Sequence, residues 1–322
     1  MELFSTLNKP IIALAPMAGC ADRAFREICV SYGASFAVGE LCSAKGVSMG
    51  DQKSQTLLYI SEKERPMASQ LFGSDIEALK DAAISAAKYN PDFIDINMGC
   101  PAPKVAGNGG GSALMKDPKL AREIIRAVKS VTKLPVSAKM RIGWDEDSIN
   151  GIEFAKYLCD GGVDMITVHG RTRKQMYSGR ADREYIAKIK EAVNVPLIAN
   201  GDIDSIASAE DMFNVTKADG IMIGRAALGN PFLFKQIREY FESGEILPEP
   251  SLKTRLDTLL LQCELMMEYK DPHNANLESR KHAAWYLKGM RGAAKYRRFC
   301  NEINSIDDIK FLIETVLKEN EV

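Results

Sequence analysis

A cysteine, a lysine, a histidine and two glycine-bearing loops are the groups in this chain whose types and settings can do chemistry. Cys100 lies in the stretch INMGCPAPKV (96–105), just after the apolar run Phe93-Ile94-Asp95-Ile96, and Pro101 and Pro103 stiffen the chain around it. A thiol there can act on a ligand held at the strand end, or it can pack as a small hydrophobe, as free cysteine usually does. Lys139 ends the apolar run VSAKM. An amine in that setting can form a Schiff base, neutralise an anionic ligand, or extend its head to solvent. His169 is a hydrogen-bond donor to a ring or phosphate, or a satisfied core residue; with only three histidines in the chain, acid–base work has few other histidine candidates. Asn200-Gly201-Asp202 and Gly224-Arg225 follow two more apolar runs. Glycine lets backbone approach an anion closely and Arg225 adds a charge-assisted bond, so these loops read as a phosphate site; the plainer reading is ordinary strand-to-helix turns.

These groups need one scaffold to bring them together. Short apolar runs at 11–15, 35–38, 67–71, 93–97, 135–140, 164–168, 195–199 and 219–223 alternate with polar turns and helix-period stretches. The helical stretches fall at 75–89, 118–131, 148–160, 182–193 and 205–214, with Asp75, Ser148 and Ser205 placed as N-caps. Continuous apolar strands alternating with amphipathic helices predict a parallel sheet covered by helices. Eight such units over roughly 230 residues predict an α/β fold, a (β/α)8 TIM barrel. An open doubly wound sheet competes, but no G-x-G-x-x-G follows the first strand. In a barrel the loops at the C-terminal strand ends share one mouth. That rule gathers Pro16, Met17, Ala18, Gln70, Asn97, Cys100, Lys139, Arg141, His169 and Arg171 with the two glycine loops.

The stretch ESGEILPEP at 242–250 reads as a linker. The barrel is therefore expected over 1–242 and a small α-helical domain over 251–322, with helices at 251–270, 278–298 and 305–319. A formal net charge of -1 excludes whole-molecule attraction to nucleic acid, so a polyanionic partner must meet a local basic surface. Seven scattered cysteines with no Cys-x-x-Cys pair argue against a metal site and fit a reducing cytosol. The start MELFSTLNKPII lacks a basic segment followed by a long apolar run, so no signal peptide is expected there, and no stretch approaches the roughly 20 apolar residues of a membrane span. A soluble, cytoplasmic protein without membrane contact is expected.

Taken together, these segments resemble the tRNA-dihydrouridine synthases, specifically the bacterial B subgroup. The matching stretches are APMAGCADRAFR (15–26), SQLFGSD (69–75), DINMGCPAPKVAGNGGGSALM (95–115) and AKMRIGWD (138–145). VHGRTRKQMYSGRAD (168–182), ANGDI (199–203), GRAALGNPF (224–232) and RKHAAWYLKGMRGAAKYR (280–297) continue the likeness over nearly the whole chain. The resemblance implies an FMN enzyme, reduced by NADPH, that reduces the C5=C6 bond of a tRNA uridine, in this subgroup at D-loop position 17. It implies that Pro16, Met17 and Ala18 lie along the flavin and that Gln70 hydrogen-bonds its ring. Lys139 is expected at the N1/O2 edge, where its charge stabilises the reduced flavin, with His169 as a further contact. Asn200, Gly201, Asp202, Gly224 and Arg225 are expected to hold the ribityl chain and phosphate. Cys100 becomes the general acid that protonates C5 from the face opposite the flavin. An ordinary thiol, with a pKa near ~8.5, carries its proton at neutral pH. Asn97 is expected to orient flavin or uracil, and the base must swing out of folded tRNA to reach them.

Residues 280–300 hold Arg280, Lys281, Lys288, Arg291, Lys295, Arg297 and Arg298 and no acid. Read as one helix, they place Lys281, Lys288, Arg291 and Lys295 on one arc opposite Ala283, Leu287, Met290 and Ala294. The basic face is then expected to meet phosphates and the apolar face to pack on the barrel, although Gly289 and Gly292 weaken the helix. A charge run is also an ordinary solvated face, and the resemblance is what favours tRNA. Lys104, Arg141, Arg171 and Arg173 ring the expected mouth as further tRNA contacts; no oligomer is required. Two other readings stand beside this one. A dihydroorotate-dehydrogenase-like flavin enzyme acting on a free pyrimidine leaves the basic tail unexplained. A non-catalytic tRNA-binding barrel leaves the intact Cys100, Lys139 and Arg225 unexplained. Two departures from the family pattern, Leu41-Cys42 after Glu40 and Arg183 in place of a frequent tryptophan, lie away from the expected chemistry.

Overall fold

Side-chain parity along the strand Phe93–Met98 divides the inside of the molecule from the outside. Ile94, Ile96 and Met98 join the large core shared with the surrounding helices, while Phe93 joins a second, separate core. Asp95 and Asn97, on the same side as Phe93, bond to residues of neighbouring strands. In the computed structural model, which describes residues 4, 6, 7 and 9–320, this strand is one of eight parallel strands in a closed barrel. The others are Ile11–Leu14, Phe36–Val38, Met67–Phe72, Val136–Arg141, Met165–His169, Leu197–Asn200 and Gly220–Ile223. The ring closes where Ile11 faces Gly220, and a two-residue strand, Cys42–Ser43, adds to Met67–Phe72. Every predicted apolar run is a strand, its ends shifted by a residue or two.

The barrel interior changes character along its axis. At the N-terminal end it is apolar: Phe4, Ile11, Phe36, Met165, Ile198 and Met222 pack around Phe93. Phe4 and Phe36 meet Phe93 edge-on at 5.1 and 5.4 Å between ring centres. Each such fully buried side chain is worth about 1.5–3 kcal/mol of transfer free energy. At the C-terminal end the inward residues are Gln70, Asn97, Lys139, Thr167, His169 and Asn200, and chemistry becomes available there.

Asp75 and Ser205 cap their helices as expected, accepting from Ala78 N at 3.0 Å and Ser208 N at 3.2 Å. Ser148 does not. Gly143 and Ile149 form an isolated antiparallel bridge around a short turn, Glu146–Ser148, where Ser148 Oγ donates to Asp145 Oδ1 at 2.6 Å. That pairing delays the helix to Gly151–Gly161. Asn150 stands at its N-cap, but its side-chain amide donates to Met115 O at 2.7 Å instead.

After the last barrel helix, Phe232–Ser243, residues 244–251 carry no helix or strand, and four helices follow. They are Leu252–Tyr269, Pro272–Tyr286, Ala293–Cys300 and Ile306–Asn320. The single helix expected over 278–298 is two helices. Gly289 and Gly292 both sit at φ +81°, a left-handed setting that ends the regular backbone. The arc of four cations is therefore broken, and Ala294, expected to pack, is exposed. The tail packs around Leu256, Leu259, Cys263, Tyr286 and Leu312, a core that Phe232 of the last barrel helix also enters. It meets the barrel closely: at Gly229 (φ +70°) a Cβ would come within 2.4 Å of the Trp285 backbone. Lys270 Nζ reaches across to Asp22 at 2.5 Å, and Tyr269 OH to Glu27 at 3.0 Å.

Candidate active site at the barrel mouth

Neighbouring strands of the closed sheet place Ser137, Asp95, Gln70 and Asn97 in one hydrogen-bonded chain. Ser137 Oγ donates to Asp95 Oδ1 at 2.5 Å and Gln70 Nε2 donates to Asp95 Oδ2 at 2.7 Å. Asn97 Nδ2 then donates to Gln70 Oε1 at 3.0 Å. The carboxylate only accepts, so it dictates which end of the Gln70 amide faces it, and Gln70 in turn orients Asn97. Burial pushes the Asp95 pKa up, opposed by the bonds from Ser137 and Gln70 and by the charge of Lys139. At the far end of the chain, Asn97 Oδ1 receives the backbone N–H of Cys100 at 2.9 Å and of Gly99 at 3.2 Å. Cys100 O accepts from Ser112 N at 3.1 Å. Gly111 is required beside it, since at φ +57° a Cβ would lie 2.9 Å from Cys100 O. The thiol is thus held by its backbone on both sides and is itself partly exposed.

Opposite stands a cationic set. Lys139 Nζ donates to Asn200 Oδ1 at 3.0 Å, and Asn200 Nδ2 donates to Met222 O at 2.7 Å. Burial, then the charge of Arg141, lowers the Lys139 pKa to about 8, against the opposing pull of Asp95. His169 is held well below the usual imidazole value by burial and then by Lys139, Arg141, Arg171 and Arg225, so its ring is neutral at pH 7. Gly201 adopts φ +128°, and a Cβ there would meet Ala181 Cβ at 2.5 Å. Gly224 lies against the first strand's exit, with Ala15 and Met17 as the nearest atoms a side chain would touch. Pro16 and Met17 are half-buried and Ala18 is exposed. Arg225 is 58% exposed; its guanidinium lies 3.9 Å from Asp202 and 4.4 Å from the Tyr177 ring centre.

Several expected roles change with burial. Arg141 and Arg171, expected as tRNA contacts, are only 3% and 2% exposed. Arg141 bonds the carbonyls of Gly99, Thr172 and Met176, and Arg171 those of Ser178 and Gly179, so both fasten the 170–182 loop to the barrel. Asp202, expected beside a phosphate, is engaged with Arg171 at 2.7 Å and Ala181 N at 2.8 Å. Against desolvation, which raises it, those two bonds hold its pKa below the ordinary carboxylate value. Lys104 is exposed on the turn Pro103–Ala106 beside Cys100, and Arg173 stacks 4.6 Å from the Trp144 ring centre. In the tail, Lys281 bonds Gly19 O at the first strand's loop and Lys295 bonds Glu319. Lys288 and Arg291 project from the exposed turn between the helices.

Three contributors were not singled out from sequence. Asp95 carried a signal, a charge at an inward position of an otherwise apolar strand. Glu40, which accepts from Gly19 N, and Tyr177, whose ring lies between Arg225 and Arg141, are brought in by loops of no regular period.

A closed parallel barrel whose polar end gathers a tethered thiol, a perturbed lysine and a neutral histidine defines a (β/α)8-barrel enzyme. Solved structures of this fold include an old yellow enzyme homologue from Zymomonas mobilis (TM-score 0.52, 15% identity, 76% of this chain and 91% of that one). Morphinone reductase is similar at TM-score 0.54 and 14% identity, over 79% of this chain and 92% of that one. The profile of the family described as Dihydrouridine synthase (Dus) matches residues 13–321. The tRNA-dihydrouridine synthase B of Pseudomonas syringae pv. tomato is 38% identical over 92% of this chain and 88% of its own length. The probable tRNA-dihydrouridine synthase of Rickettsia bellii is 39% identical over 91% of this chain and 90% of its own. The chain belongs to the dihydrouridine synthase family, and that membership makes it a flavin-dependent oxidoreductase.

Proposed function

We propose that this protein reduces the C5=C6 bond of uridines in tRNA, with FMN at the barrel mouth, NADPH as reductant and Cys100 as proton donor. The names of its relatives support the substrate, and the B-subgroup likeness supports D-loop position 17. The observation that carries the reading is the shared anchorage of Cys100 N–H and the Gln70 amide on Asn97. One residue thereby aligns the acid loop with the edge that would face a flavin ring.

The residues present fit FMN. Gly224 presents backbone without a side chain beside Ala15 and Met17, Gly201 lets its loop pack against Ala181 and His169, and Arg225 is exposed enough to meet a phosphate. Lys139, Arg141, Arg171 and Arg225 outnumber the acids that face them, as an anionic cofactor requires. Pro16, Met17 and Ala18 would line its rings, Gln70, Lys139 and His169 would meet its polar edge, and Asn200 would support the ribityl chain. Asp202 contributes by steadying Arg171, since its own charge opposes phosphate. When bound, FMN supplies the hydride that reaches uracil C6.

Cys100 supplies the matching proton from Sγ to C5, and its partial exposure lets solvent reprotonate the sulfur. Lys139, with a pKa of about 8, is largely an ammonium at pH 7 and stabilises negative charge beside it. Neutral His169 donates or accepts a bond without adding to the positive field. Asn97 orients both the thiol loop and the ligand. The barrel, residues 1–242, does the chemistry, and the tail, residues 251–322, with Lys104 and Arg173 at the mouth, docks tRNA. Acting on tRNA, the protein would work in the cytoplasm.

The test is to map dihydrouridine in tRNA from cells with and without the protein, and to record the visible spectrum of the purified chain. Loss of dihydrouridine at position 17 and a yellow protein are expected. Unchanged tRNA, or bleaching of the flavin by free dihydroorotate, overturns the reading; a colourless protein that still binds tRNA favours a non-catalytic one.

A further inference from the structure

A groove of about 530 Å³, lined by Met115, Lys116, Trp144, Asp145, Ile149 and Asn150, opens alongside segments that also build the mouth. The turn Gly111–Lys116 ends at the groove, and its Ser112 N–H holds Cys100 O. The 172–176 loop pairs with the groove's other wall, Arg173 N to Gly143 O and Lys174 N to Trp144 O, both at 3.0 Å. The same loop offers the Thr172 and Met176 carbonyls to Arg141.

Among the described residues, two buried polar atoms have no hydrogen-bond partner, Asn150 Oδ1 in the groove wall and Arg173 Nε in the loop paired with it. The first is an acceptor whose orientation is set, because its amide nitrogen is bound to Met115 O at 2.7 Å. The second is a donor on a guanidinium stacked 4.6 Å from the half-buried Trp144 ring centre. Lys116 Nζ, on an exposed side chain, lies 3.6 Å from the same ring centre, and Ile149 adds an apolar wall 40% exposed. A bare anion suits this groove poorly, because Asp145 also lines it. A ligand with a flat face, N–H or O–H donors of its own and a phosphate matches the indole, the carboxylate and the ammonium that line the groove.

We propose that the groove takes a nucleotide of the RNA strand flanking the reacting uridine. Its base lies on Trp144 in place of the exposed Lys116 side chain, its donors meet Asp145 at the Asn150 side of the groove, and its phosphate is held by the displaced Lys116. This rests on the reading of tRNA as substrate, and extends it to a second subsite beside the one that holds the reduced base.

Trp144→Ala and Lys116→Glu, in the flavin-loaded full chain, test it with an in vitro transcribed tRNA. Loss of base stacking is expected to raise the KM for tRNA and its filter-binding dissociation constant about fivefold or more. The kcat at saturating tRNA and the rate of flavin bleaching by NADPH without tRNA stay at parental values. Lys116 is an exposed side chain, so Lys116→Glu reports even where Trp144→Ala impairs folding. Binding of tRNA within twofold of the parent in Lys116→Glu overturns the proposal. A raised KM for NADPH in place of tRNA also overturns it and assigns the groove to a dinucleotide. A parent protein that forms no dihydrouridine overturns the underlying reading itself, before any variant is compared.

Discussion

Asn97 Oδ1 receives the backbone N–H of Cys100 at 2.9 Å, while the same side chain donates to Gln70 at 3.0 Å. A thiol on a loop and an amide on a neighbouring strand are thereby held to one residue. Asp95 holds the chain from below, with Ser137 on its other oxygen. A loop residue so tethered keeps its position without having to be buried, which is the condition a proton donor must meet.

Replacing Cys100 by alanine removes the proton donor without disturbing the Asn97 tether, which uses only backbone. Flavin content and NADPH-driven flavin reduction are expected to stay near parental values while dihydrouridine formation falls by about a hundredfold or more. Quantifying dihydrouridine in single-turnover reactions checks this. Unchanged product yield would remove Cys100 from the mechanism.

Asp95→Leu leaves Ser137 Oγ and Gln70 Nε2 buried without their acceptor. That costs about 1–3 kcal/mol of stability per stranded group. Asp95→Asn should cost far less, because Ser137 can reverse its role and accept from the new amide. Urea midpoints of the two variants give the comparison. Equal losses would mean that the carboxylate is not the anchor.

Lys139 gives a pH signature in the flavin-free protein. Folding lowers its pKa from 10.5 to about 8, chiefly through burial. Between those values the unfolded chain holds a proton that the folded chain has released. Stability of the parent relative to Lys139→Met therefore climbs as pH rises from 8 towards 10.5, then levels off. Denaturant curves across that window check the sign, and a flat difference contradicts it.

Lys270→Met leaves Asp22, 2% exposed, and Glu278 without the cation that joins them at 2.5 and 2.6 Å. Asp22 also caps the helix Arg23–Ser31 through Phe25 N at 2.9 Å. The variant is expected to lose about 2–3 kcal/mol, less than a fully buried pair because Lys270 is partly solvated. Adding Asp22→Asn should recover part of that loss, since the stranded charge is gone. A purely additive double variant would show that the pair does not couple tail to barrel.

The strands were legible because their signal is local: apolar runs of four to six residues, punctuated by polar turns, repeat along the chain. Asp75 and Ser205 were legible as caps for the same reason. Ser148 has an equally good local signal, and it misled because the Gly143 and Ile149 bridge claims that segment first. Gly289 and Gly292 were visible as weak points in a helix, but whether the chain bends or breaks there depends on the left-handed backbone they take up within the folded tail.

By itself the sequence determined the barrel, the order of its strands, the end at which chemistry sits and the residues that could reach it. Those follow from periodicity and from the rule that parallel strands present their C-terminal ends together. Tertiary structure alone decided which polar groups remain free. Asp95, Gln70 and Ser137 meet across a closed sheet, at separations of 25 and 42 residues, and Arg141 and Arg171 are enclosed by a loop that folds back over them. Whether a side chain faces a ligand or a neighbour depends on strand register and loop path, and neither is encoded within a few residues of the side chain concerned.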